Sequence, residues 1–363
     1  MESLYRICIQ KVKVFSLKLN QLPKHVRFDV ENVATCCFFS SPMSAALNGH
    51  EKCLVYGLST CNQSDEEQLR ICGAAASIGN LACLRAARSA GCRWDETTCL
   101  MAANNNRMAC LKYLRDNHCP WDVSVPMFAV AHENFEILKY AVENQCPTSP
   151  HLCFLAVRLK RKKFLEFLVE NGCECDRFSY NEAARTGNLD LFEIARRAAD
   201  TRDPETLEIA ARENHNHILF HALEHGWEWN DNILLIAAET GNVEILEYAV
   251  EKNVEKKNEQ VFTVAVTFDR LDFFKRAHEK GFRCMFQATL HAAGKGRLKF
   301  LEYIYSQYSC FPEEACEIAA MEDHLECLEF MLGKGAHFDP FCIEFASRRC
   351  SQFLSARDAA RNE

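Results

Sequence analysis

The sequence predicts an all-α solenoid built from short helix-turn-helix units, and three observations lead there. First, the stretch LLIAAETGNVEILEYAVEKN (234–253) returns in degraded form as GAAASIGNLACLRAARSAGC (73–92), LMAANNNRMACLKYLRDNHC (100–119) and EIAAMEDHLECLEFMLGKGA (317–336). Second, the closing small or β-branched residue of each "AA" or "AV" pair recurs as Ala46, Ala76, Ala103, Val130, Val157, Ala184, Ala211, Ala238, Val266, Ala293, Ala320 and Ala346. These anchors are spaced by 30 residues, then 27 six times, then 28, 27, 27 and 26. Third, eight residues after every anchor stands Leu or Phe, from Leu54 and Leu84 through Phe192 and Phe274 to Leu328 and Leu354. A period of this length marks a repeat array whose units bury their apolar faces only by stacking.

The elements follow in chain order. Residues 1–40 precede the first unit and form a separate N-terminal module, and the repeats occupy 41–363. Within a unit, the first helix ends on the small pair, where backbones approach closely. A turn follows, carrying Gly79, Asn106, Gly187, Asn214, Gly241, Asp269, Gly296 or Asp323 at one equivalent place. These residue types tolerate left-handed backbone angles or make their own turn hydrogen bonds. The second helix then sets apolar residues at helical spacing, as in Val243, Ile245, Leu246, Ala249 and Val250. Helices of about ten residues are marginal alone, so neighbouring units must hold each pair.

Composition fits a folded chain: 48% hydrophobic, 10% aromatic and 25% charged over 363 residues. The net charge of −8 argues against phosphate-backbone binding as the main task, which needs a basic footprint, and no nucleic-acid partner is expected. Apolar runs such as Ile233 to Ala238 are too short to span a bilayer, and Glu2, Arg6, Lys11 and Lys13 interrupt the start where a signal core would lie. Twenty-one cysteines without such a signal imply free thiols in a reducing compartment. The expectation is a cytoplasmic monomer without membrane contact.

The pattern AAETGNVEILEYAVEKN is similar to the ankyrin repeat, whose helix pair reads small-small, Gly turn, Leu, then a Leu-rich helix. CLEFMLGKGAHFD (327–339) resembles the ankyrin second helix and its ending, and TLHAAGKGRLKFLEYI (289–304) resembles its start, without the Pro and with the His one place late. The period of 27 is six short of the ankyrin value of about 33, the length of a β-hairpin finger, so bare loops are expected between units. Segments such as GCRWDETTC (91–99) and HCPWDV (118–123) look like the short ankyrin type of giant viruses and some protists. The resemblance covers residues 43–355 and implies eleven or twelve units and a protein target held on the repeat surface.

Thirteen cysteines occupy three repeat-equivalent places, typified by Cys72, Cys83 and Cys92, where other units carry small or apolar residues. That interchange marks packing thiols. His217, His221 and His225, spaced i, i+4, i+8, would share one helix face and are weak metal candidates; His221, however, stands where other units have Tyr or Phe, and no metal or other cofactor is expected. RLKRKKF (158–164) gathers five positive charges at one turn, to be read as a nuclear-import signal at Lys160 to Lys163, an acidic-partner contact or a solvated turn. Trp94, Trp121, Trp229 and Phe338 recur eighteen residues after their anchors, as loop packing or as target-binding anchors. The motifs of phosphate, dinucleotide, zinc-protease and serine-hydrolase sites are missing, so the expectation is a protein without catalytic activity.

Before the repeats, Ser3 is suited to an N-cap, and Leu4, Cys8 and Val12 would line one helix face. This resembles the BC box of Elongin-binding proteins, and Leu22, Pro23, Val26 and Val30 resemble the cullin box that follows it. The resemblance implies a substrate receptor recruiting a target to an Elongin B/C and cullin ubiquitin ligase, with Leu4 and Cys8 entering Elongin C and Leu22-Pro23 facing a cullin. The box precedes the repeats here, whereas ankyrin-type receptors carry it after them. The alternative is a plain scaffold whose N-terminus only caps the first repeat.

Overall fold

The computed structural model describes residues 41–60, 62–199, 202–253, 260–283 and 286–362, with side chains to 357. Among them are twenty-three α-helices, one 3-10 helix and no strand. The chain forms two compact units, Met1–Ser179 and Tyr180–Glu363.

In the first unit the helix pairs are α1 (Pro42–Leu47) with α2 (Glu51–Thr60), α3 (Asp65–Ile78) with α4 (Leu81–Ser89), α5 (Glu96–Asn104) with α6 (Met108–Asp116), α7 (Ser124–Ala131) with α8 (Phe135–Glu143), and α9 (Pro150–Arg158) with α10 (Lys162–Glu170). First helices pack on first helices, as α1 on α3, α3 on α5, α5 on α7 and α7 on α9, while second helices make a looser layer through α2, α4, α6 and beyond. The division between the units falls within α11 (Arg177–Thr186).

The second unit continues with α12 (Leu189–Arg197), then α13 (Pro204–Arg212) with α14 (Asn216–Glu224), α15 (Asp231–Thr240) with α16 (Val243–Glu251), α17 (Gln260–Thr267) with α18 (Leu271–Glu279), α19 (Phe286–Gly294) with α20 (Leu298–Tyr308), and α21 (Glu313–Met321) with α22 (Leu325–Gly333). The same two-layer packing holds: α13 on α15, α15 on α17, α17 on α19 and α19 on α21. The twelfth period departs from the pattern. Its first helix is reduced to a 3-10 turn, Pro340–Glu344, which Asp339 caps through the Phe341 N–H, before α23 (Arg348–Asn362). The helical repeat solenoid expected from the sequence is therefore present, as eleven full pairs and a shortened last one.

The burial pattern explains the period. All twelve Leu or Phe residues at the eighth place are buried, none more than 2% exposed, and eleven of the twelve anchors are buried as well. Small anchors let first helices approach, and the Leu or Phe fills the space between layers. Removing a buried Leu side chain of this kind typically costs about 2–5 kcal/mol.

The turn between paired helices is left-handed in every full unit. Gly79 has φ +79°, Asn106 +57°, Gly187 +71°, Asn214 +58° and Asp323 +61°. Glu133 and Lys160 occupy the same place at +58° and +57°, residue types that the sequence pattern did not announce.

Candidate binding surface

The residue following a left-handed turn position caps its own helix, reaches back to the preceding unit, or does both: Asn80 Nδ2 also donates to Gly49 O at 2.9 Å and Asn242 Nδ2 to Asn214 Oδ1 at 2.9 Å. In α4, α8, α12 and α16 it is Asn80, Asn134, Asn188 or Asn242, whose side chain accepts from a backbone N–H in the first turn of its helix; such a cap contributes about 1 kcal/mol. In other units it is Arg or His, which leaves its own helix uncapped and reaches back to the preceding unit. Arg107 Nε donates to Ser77 O at 3.1 Å, Arg270 Nε to Glu239 O at 2.9 Å, and His215 and His324 place Nε2 3.1 Å from Arg185 O and Gly294 O. These side chains lie where a Cβ on Gly79, Gly241, Gly187 or Gly296 would stand. Where the turn residue is acidic, the same cation forms an ion pair with it: Arg161 with Glu133 at 2.6 Å and Arg297 with Asp269 at 3.0 Å. The turns are thus tied into a ladder, invisible along one unit because each rung joins two.

The loop aromatics form a second ladder. Trp94 meets Tyr113 edge-on at 6.2 Å with the Arg88 guanidinium 4.1 Å over its ring, and Trp121 repeats this with Tyr140 at 6.1 Å and Arg115 at 4.2 Å. Trp229 stacks on Tyr248 at 6.4 Å, and Phe338 is buried. The three tryptophans therefore pack on the second helix of the following repeat. Trp227, two residues before Trp229, is the more deeply buried, against Tyr180 and Phe192. It occupies the place of Cys92, Cys119, Cys146 and Cys173, and that shared place was the sequence signal for its burial.

The sixteen described cysteines are free thiols, and fourteen of them are buried. Cys119 and Cys146 donate to Asp95 O and Asp122 O at 3.2 Å, tying the loop after one pair to the start of that pair's first helix. Cys153 and Cys173 lie 3.6 Å apart. Burial pushes the thiols of Cys146 and Cys316 up to about 12, which keeps them protonated and unreactive.

His217, His221 and His225 do not converge. His217 Nε2 contacts Gly187 O at 3.0 Å, His221 Nε2 contacts Glu193 Oε1 at 2.6 Å, and His225 Nδ1 contacts His221 O at 2.7 Å. Arg196 first and His221 next hold the Glu193 carboxyl down to about 2 against the opposing cost of partial burial. Among the described residues no group of three His, Cys, Asp or Glu side chains is placed to hold a metal. Leu4, Cys8, Val12, Leu22, Pro23, Val26 and Val30 lie outside the described residues.

What remains exposed is asymmetric. Large apolar side chains reach solvent mainly from first helices and the turns just after them: Leu47, Met101, Leu159 and Phe178 in the first unit, and Phe268, Phe286 and Met321 in the second. Among the described residues the second-helix layer shows only Val55 and Tyr56, both on α2, and Phe341 and Phe345 mark the 3-10 turn. Two pairs of these positions recur, Leu47 with Met321 one residue after the anchor and Leu159 with Phe268 two after, but most units carry other residue types there, so a search for repetition passes over them. At the end of α9, Arg158, Lys160, Lys162 and Lys163 are exposed, Arg161 pairs with Glu133, and Lys163 sits 3.8 Å over the Phe135 ring.

No family model matches the chain, and no curated protein matches it. Solved structures that resemble it include the pentatricopeptide repeat protein PPR10 in complex with an 18-nt psaJ RNA element, at TM-score 0.30 and 12% identity, covering 81% of this chain and 57% of that one. A second structure of PPR10, a cysteine-to-serine variant with the same RNA element, gives the same values. The chain thus spans little more than half the length of these repeat proteins. A net charge of −8 summed over the whole chain does not exclude a nucleic-acid partner, which corrects the expectation above, because binding depends on local charge.

Proposed function

We propose that this protein is a non-catalytic binding scaffold that holds a protein partner on the exposed first-helix faces of its repeat units. The observation that carries this is the segregation of large exposed apolar side chains onto that one layer. Large apolar side chains left in water favour a partner that covers them, and a repeat array offers such faces on a rigid support. The helix pair with its left-handed turn supports kinship with short ankyrin repeats. The free thiols support a reducing compartment, which we take to be the cytoplasm.

The test compares affinity capture by the wild type with two variants, Met101→Ser/Leu159→Ser/Phe178→Ser and Phe268→Ser/Phe286→Ser/Met321→Ser. A partner that co-purifies with the wild type and is lost from one variant, with unchanged circular dichroism, supports the scaffold. Identical partner sets from all three proteins refute it.

A finer reading makes the scaffold a substrate receptor of an Elongin-cullin ubiquitin ligase, and its support is the spacing of Leu4, Cys8 and Val12 and of Leu22, Pro23, Val26 and Val30. Co-purification with Elongin B and C decides it. A stoichiometric complex that Leu4→Ala/Cys8→Ala abolishes supports the receptor, and no complex with either form leaves a plain scaffold.

A further inference from the structure

The turn that joins α9 to α10 carries a residue type that the turn does not require. Lys160 holds a left-handed backbone, φ +57°, where five other units place Gly and four place Asn or Asp. A lysine there is unfavourable, since its Cβ crowds the following carbonyl. Glu133, at the same place one unit earlier, is compensated by its ion pair with Arg161. Among the described residues the Lys160 side chain has no such partner, nor has that of Arg158. Backbone hydrogen bonds hold the turn itself, Lys160 N–H to Val157 O at 2.9 Å and Arg161 N–H to Ala156 O at 2.8 Å, so the two exposed cations are available to a partner.

Between these two cations stands Leu159, 37% exposed, and one turn earlier on α9 Phe154 and Leu155 are half-buried. The local order is therefore cation, apolar, cation, continuous with the exposed first-helix face. Lys162 and Lys163 extend the positive field, while Glu133 is already neutralised by Arg161. We infer that this edge of the first unit docks an acidic peptide segment of a protein partner, one with an apolar side chain flanked by carboxylates. The apolar residue would rest on Leu159, and the carboxylates would meet Arg158 and Lys160. The assignment rests on the scaffold reading and names the chemistry of its partner.

A single-stranded nucleic acid would also meet the charges, but it needs free ring faces on which bases stack. The nearby rings are occupied. Phe154 stacks on His151 at 5.3 Å, Phe128 stacks on His132 at 5.7 Å, and Phe135 is covered by Lys163 and by the edges of Phe164 and Phe167. The geometry favours the peptide.

The experiment measures fluorescence anisotropy of a labelled peptide of alternating Glu and Leu against the full-length chain, beside a Lys-Leu peptide and a single-stranded RNA oligonucleotide of equal length. The Glu-Leu peptide is expected to bind, to weaken with salt, and to lose roughly tenfold in affinity with Arg158→Ala/Lys160→Gly, the sum of two exposed charge contacts. Lys160→Gly suits the left-handed turn and is expected to raise the midpoint of unfolding, so a loss of binding is not a loss of fold. No preference over the Lys-Leu peptide, equal binding by the double variant, or tighter binding of the RNA each overturns the proposal. Peptide binding that survives while the capture experiment fails sinks the scaffold reading alone. Capture that succeeds without peptide binding sinks this inference alone.

Discussion

Gly79→Ala and Gly91→Ala test the turn ladder within one repeat, because the two glycines flank α4 and share a left-handed backbone. Gly79 has φ +79° and Gly91 φ +86°, so alanine carries a similar backbone cost at both, about 1 kcal/mol after the gain from a less flexible unfolded chain. Their surroundings differ. A Cβ on Gly91 meets nothing within 4 Å, whereas one on Gly79 stands 2.5 Å from Cδ and 3.0 Å from Nε of Arg107. Arg107 must move, and its bond to Ser77 O goes with it. For an exposed side chain that adds about 0.5–1.5 kcal/mol. The expected losses are therefore about 1 kcal/mol for Gly91→Ala and about 2 kcal/mol for Gly79→Ala, read from urea unfolding followed by circular dichroism. Arg107→Ala added to Gly79→Ala should cost less than the separate losses imply, with a coupling of about 1 kcal/mol. Equal losses at the two glycines, or no coupling to Arg107, would refute the rung.

Leu111→Ala, at a fully buried eighth-place position, should destabilise by about 2–5 kcal/mol, while Met101→Ala on the exposed face should change stability by less than about 0.5 kcal/mol; the same unfolding curves check both. Alkylation of the native protein followed by peptide mapping should label the exposed Cys310 and spare Cys146 and Cys316 until denaturant is added. Glu193 contributes stability above the ordinary carboxylate value of 4.5, and that contribution is lost as pH falls through its folded value of about 2. Glu193→Gln should therefore flatten the acid limb of the stability profile between these two values, and an unchanged limb would show that the contacts with Arg196 and His221 add nothing.

The repeat was legible because burial repeats. Each anchor and each eighth-place Leu or Phe meets the same kind of neighbour in every unit, so the chain carries the period openly, and Gly79, Asn106 or Asp323 announced the left-handed turns. Glu133 and Lys160 did not, since an ordinary residue can be held at positive φ by its surroundings, and only backbone coordinates reveal it. The shortening of the twelfth first helix to a 3-10 turn was equally hidden: Cys342 and Leu354 keep the spacing while the helix around Cys342 shrinks to that turn.

What the sequence determined by itself is the class of fold, the length of its unit and the identity of its core, all fixed by which residues leave water. What only the tertiary structure decided is how units are joined and what they leave exposed. Arg107 and Asn80 occupy equivalent places and both reach back to the preceding turn, yet only Asn80 also caps its own helix. The candidate surface likewise depends on residues whose type departs from that of most other units at the same place, such as Met101 and Lys160. Their role depends on distances between units 27 residues apart in the chain, and a contact across that separation leaves no local pattern to read.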